Sequence, residues 1–157
     1  MKGKKLIILF FALAFPLFLA TYLKFCTSAQ FDVQIRFRNG HLAVGDCPPV
    51  LSTPYAIPDS VLISLGWSKN HKLTCLFLPS TAEEKVKRHR RIAEFGTEVL
   101  MVEVDSSKTK LNSCYLFMTG DSATMLVDDA RQVRGYYGNS LKESDRLITE
   151  ISILLHR

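Results

Sequence analysis

The chain has 157 residues, 47% of them hydrophobic and 22% charged, with 20 Lys+Arg against 15 Asp+Glu and a formal charge of +5. Four of the twenty basic side chains and none of the fifteen acidic ones fall in residues 1–29, which leaves 16 basic against 15 acidic groups in the remaining 128 residues. A near-neutral remainder of that length excludes a general electrostatic attraction to nucleic acid and fits one compact domain rather than two.

The chain opens with a positive cluster, Lys2, Lys4 and Lys5, followed at positions 6 to 23 by 18 uncharged residues. As a helix that run would rise roughly 27 Å, close to a hydrocarbon core of about 30 Å. The excess of lysine on its amino side predicts an amino end in the cytoplasm and a domain across the membrane. Thr27-Ser28-Ala29 supplies small residues at a peptidase site, whereas the apolar run is longer than the usual signal-peptide core, so the segment fits both a cleaved signal peptide and a retained signal-anchor. The expected division is 1–29 as leader or anchor and 30–157 as an extracytoplasmic domain, in a bacterial periplasm, at the inner membrane, or secreted.

Cysteines stand at positions 26, 47, 75 and 114. An oxidising compartment favours a bridge, and Cys75 and Cys114 both lie in strand-like runs, so that pair is the expected disulfide. No spacing resembles a zinc knuckle or a C-x-x-C redox site, so neither metal nor cofactor is expected.

Past the leader, Val33, Ile35 and Phe37 alternate with polar residues before Asn39-Gly40, which predicts a hairpin with one dry face. Four prolines between 45 and 59 predict an irregular connection that Cys47 is placed to pin. "SVLISLGW" and "KLTCLFL" read as strands around the turn "SKNH". Ser80 or Thr81 then offers an N-cap for a helix over 81–95 that Gly96 stops. "TEVLMVEV", "KLNSCYLFM" and "SATMLVD" read as further strands, and "RQVRGYYGN" as a loop. The last element is a helix capped by Ser140 with Glu143 in the capping-box position, with Leu141, Leu147, Ile148, Ile151, Leu154 and Leu155 in an apolar stripe. Together these predict an α+β domain whose mixed, mostly antiparallel sheet is covered on one side by two helices. A β-α-β crossover over 73–104 supplies its parallel pair.

Two clusters invite a binding role. Lys87, Arg88, Arg90 and Arg91 belong to a basic run that suits an anionic surface or lipid contact, although a solvated helix face has the same composition. Arg131, Arg134, Tyr136 and Tyr137 have the composition of a protein-recognition loop, and an inward-packed tyrosine is the plain alternative. Catalytic groupings are sparse. His41 with Cys114 or Ser122 could pair a base with a nucleophile, which would make a small hydrolase. The favoured reading is not an enzyme but a protein-binding accessory module of the cell envelope, with another envelope or membrane protein as partner.

Overall fold

The computed structural model describes residues 14–22, 33–39, 47, 53–78, 82–118 and 123–156. The chain divides into two compact units, Met1–Asp32 and Val33–Arg157. In the first, the described residues 14–22 are helical.

The second unit is built on a four-stranded sheet. Its elements in chain order are α1 (Asp59–Ser64), β1 (Leu73–Phe77), α2 (Ala82–Ala93), a 3₁₀ turn (Gly96–Glu98), β2 (Val99–Glu103), α3 (Thr109–Cys114), β3 (Thr124–Asp128), β4 (Val133–Tyr137) and α4 (Leu141–Leu155). The spatial strand order is β2-β1-β3-β4. β1 pairs with β2 in parallel, with Cys75 opposite Met101, and with β3 antiparallel, with Cys75 opposite Leu126. β3 and β4 form an antiparallel pair whose register shifts between Leu126 and Val127. The sheet is therefore mixed and mostly antiparallel, and α2 makes the connection between the two parallel strands.

β1 and β3 occupy the centre and are buried at all five positions, as expected for strands with both faces covered. Leu73, Cys75, Phe77, Leu126 and Tyr137 point to one face, where they pack with Ile92 of α2 and Leu147 and Ile151 of α4. Leu76, Met125, Val127 and Val133 point to the other, where they meet Tyr55, Ile57, Leu62, Trp67, Val104, Leu116 and Met118. Two long helices thus close one face. Short helices and irregular chain close the second, a layer that the two-helix expectation lacked.

Several local expectations are corrected. "SVLISLGW" contains α1 rather than a strand. Pro58 and Asp59 open this helix, where a missing N–H and an early carboxylate both suit a first turn, and Gly66, at φ +87°, follows its end. "KLNSCYLFM" contains α3 followed by irregular chain. Residues 33–39 form no ladder, and Phe37 adopts φ +56°, a left-handed conformation that breaks an extended run. Residues 40–46, the other arm of the expected hairpin, lie outside the described residues. "RQVRGYYGN" contains β4 instead of a loop. Gly135 is required there, because a β-carbon on it would lie 2.5 Å from the Tyr137 hydroxyl oxygen, whose ring covers that stretch of strand.

The disulfide is also different from the one expected. Cys114, at the end of α3, bonds to Cys47 across a sequence separation of 67, while Cys75 is a free, buried thiol. Cys75 points into the layer beneath α2 and α4, and burial pushes its thiol pKa up to about 12. Tyr55 and Tyr136 add to the tie at α3, donating their hydroxyls to the carbonyls of Tyr115 and Leu116, each at 2.8 Å.

Candidate functional site

The residues of the basic run separate according to the helical period. Arg88 turns inward and is only 4% exposed. Its Nε donates to Ser144 Oγ on α4 at 3.1 Å, Nη1 donates to Thr124 Oγ1 at the start of β3 at 2.7 Å, and Nη2 donates to the Gly138 carbonyl after β4 at 2.7 Å. One guanidinium therefore joins three elements to α2, using the fixed fork that distinguishes arginine from lysine. This burial corrects its assignment to a surface contact. Arg90 is exposed.

Lys87 and Arg91 flank Arg88 at the rim of a cleft between α2 and α4. The cleft holds about 250 Å³ and is lined by Lys87, Arg88, Arg91, Asn139, Leu141 and Ser144. Asn139 and Leu141 are positioned by the start of α4, where Ser140 caps the helix by accepting the Glu143 backbone N–H at 3.3 Å. Lys87 pairs with Glu83 at 2.9 Å and Arg91 with Asp145 at 2.6 Å. Both pairs are solvated, with side-chain exposures of 73% and 83% in the first and 39% and 57% in the second. Surface ion pairs of this kind hold their partners weakly and are screened by salt.

Behind Arg88, the His89 ring meets the Phe77 ring edge-on at 4.3 Å. Burial lowers its pKa below the ordinary 6.5, Lys85 lowers it further, Glu103 opposes the shift, and Arg88 adds a smaller downward push.

The residues expected to form a recognition loop have structural partners. Arg131 pairs with Asp59 at 2.9 Å, and Arg134 with the buried Asp128 at 2.7 Å. Tyr137 is fully buried, donates its hydroxyl to Glu150 at 2.5 Å and lies under the Arg146 guanidinium, 4.7 Å from the ring centroid. Burial raises its phenol pKa, and the carboxylate acceptor raises it further. Tyr136 is half-buried, and burial raises its pKa as well. A smaller recess of about 160 Å³ lies beside Asp128, Asp129, Arg134 and Lys72. Asp128 is already committed there, since its other oxygen accepts the Gln132 backbone N–H at 2.7 Å.

Of the two expected catalytic pairings, His41 with Cys114 loses its nucleophile and His41 with Ser122 lies outside the described residues. Cys114 has its sulfur in the disulfide and is no nucleophile in that state. Among the described residues, no group of three His, Cys, Asp or Glu side chains is placed to hold a metal ion. Asn139 and Ser144 were not singled out from the sequence, and Leu141, expected in the apolar stripe of the last helix, is exposed instead. The signal that could have found them is the Ser140–Glu143 cap, which sets the start of α4 and hence which side chains face α2.

The sequence matches no protein-family profile and no curated protein. Among solved structures, the chain is similar to RebC-10x soaked with chromopyrrolic acid. The identity is 16% and the TM-score 0.37, over 54% of this chain and 15% of that one. A likeness at this level carries no functional argument. The expectation of a membrane-anchored module is corrected on one point: among the described residues no helix is long and apolar enough to cross a membrane. Of the expected leader, residues 1–13 and 23–29 lie outside the described residues.

Proposed function

We propose that this chain is a binding domain for a small anion, with the cleft between α2 and α4 as its recognition site. One observation carries the reading: Lys87, Arg88 and Arg91, all within about one turn of α2, line a single cleft whose wall also offers the Asn139 amide and the Ser144 hydroxyl. Arg88 is held in place by its three hydrogen bonds and contributes a fixed positive field. Lys87 and Arg91 can exchange their solvated carboxylates for a ligand at little cost. A carboxylate or phosphate suits such donors, because ionised partners make the shorter and stronger hydrogen bonds.

The test is calorimetric titration of the full chain with inorganic phosphate and with acetate at low ionic strength. Saturable binding is expected, weakened at least tenfold in a Lys87→Gln/Arg91→Gln variant and diminished by added salt. Both residues are on the surface, so the variant should fold. Absence of saturable binding to either probe would end the reading, as would equal affinity in the variant.

A further inference from the structure

The cleft has one wall that a bare inorganic anion would not use. Leu141, in the first turn of α4, lines it with a side chain 75% exposed, whereas Leu147 and Ile151 of the same helix are fully buried. A single exposed leucine needs no explanation on an open surface. This one stands in a cleft lined by Lys87, Arg88 and Arg91, where an apolar side chain contributes nothing to holding phosphate. Lys87 and Arg91 also carry aliphatic stems, which cover apolar surface while their charged ends remain hydrated.

Building on the anion-binding reading above, we infer that the ligand is amphiphilic: a small carboxylate whose head lies between Lys87 and Arg91 and whose aliphatic chain lies on Leu141 and those stems. The volume limits its size. About 250 Å³ falls just below the range of roughly 300–1,000 Å³ typical of small-molecule pockets, so the chain is short. Division of labour follows from the geometry. The cations select a negative head, and Leu141 discriminates between heads with and without an apolar body, because only the latter leaves the leucine in water.

The experiment compares octanoate, acetate and inorganic phosphate as ligands of the full chain by calorimetry, in the natural sequence and in Leu141→Ser. Octanoate should bind at least tenfold more tightly than acetate. Leu141→Ser should remove most of that ratio while leaving acetate affinity unchanged. The exposure of Leu141 keeps the substitution from threatening the fold, and an unchanged unfolding midpoint checks this. If acetate and phosphate bind and octanoate binds no better, the amphiphile inference is wrong while the anion-binding domain stands. If none of the three binds, both fail. Tighter octanoate binding that survives Leu141→Ser would place the chain elsewhere and overturn the inference. Sedimentation with phosphatidylserine vesicles that excess octanoate does not reverse would assign the cations to a membrane surface, and would overturn it too.

Discussion

On one face of the sheet, helices of 12 and 15 residues lie over Cys75, Phe77 and Leu126, and a buried guanidinium joins them to the strands. On the opposite face, two six-residue helices and irregular chain cover Leu76, Met125 and Val127, and a disulfide with two tyrosine hydroxyls holds that covering in place. A long helix satisfies its own backbone groups and needs only its apolar stripe buried. Short helices and coil leave many backbone groups unsatisfied and order many residues without cooperative gain. The second face therefore depends on a covalent tie and on side-chain donors to stray carbonyls, while the first can carry a cleft without losing its cover.

Removing the covalent tie should separate the two faces most clearly. For a sequence separation of 67, the chain-entropy relation gives about 4 kcal/mol for the Cys47–Cys114 bond. Cys47→Ser/Cys114→Ser should lower stability by up to that amount in denaturant unfolding. Hydrogen exchange should accelerate at residues 53–57 and 109–118 while α2 and α4 stay protected. Uniform acceleration would mean that the two faces unfold as one.

The converse experiment acts on the helical face. Arg88→Met keeps the aliphatic bulk but removes three hydrogen bonds from a buried position, and should cost about 3 kcal/mol because Ser144, Thr124 and the Gly138 carbonyl lose a charged donor. Exchange should then rise in α2 and α4, and the disulfide face should change less. A smaller effect is expected from Gly135→Ala. Its methyl group would press on a Tyr137 ring held between Glu150 and Arg146, and overpacking of this kind costs about 1–3 kcal/mol. Near-UV circular dichroism should report displacement of the tyrosine.

The smallest effect is pH-dependent. With its pKa lowered, chiefly by burial, His89 binds fewer protons in the folded chain than in the unfolded one. Its contribution is complete above the unfolded pKa of about 6.5 and is lost as pH falls through that value toward the folded one. Glu83, Glu103 and Asp105 have pKa values lowered from 4.5, 4.5 and 3.8, so their contributions persist to lower pH. Urea midpoints measured from pH 7.5 to 5 should fall in the natural sequence and fall less in His89→Leu; parallel curves would remove His89 as the cause.

The contrast between the faces also explains what the sequence discloses. The helical face is legible: the last helix, its Ser140–Glu143 cap and its buried Leu147 and Ile151 follow from a 3.6-residue period, and β1, β2 and β3 follow from runs of apolar residues. On the other face, alternation is genuine but misleads. Asn112, Cys114, Leu116 and Met118 are buried and the residues between them less so, yet the backbone is a helix end and coil. Val33, Ile35 and Phe37 are likewise less exposed than Gln34, Arg36 and Arg38, without a ladder. A period of two reports which side chains face the core. A strand also requires a partner with free backbone groups, and that is a tertiary property. The cleft was half legible for a related reason. A helix period sorts Arg88 from Lys87 and Arg91, but the register between α2 and α4, which brings Asn139, Leu141 and Ser144 to them, is set by packing.

Whether the α2–α4 cleft is where this protein takes a ligand can be read from an NMR titration of the full chain with octanoate. Saturable shifts confined to the backbone amides of Lys87, Arg91, Asn139, Leu141 and Ser144 are the predicted result. Shifts centred on Arg90 and the solvent face of α2, or no saturable shifts at all, would contradict it.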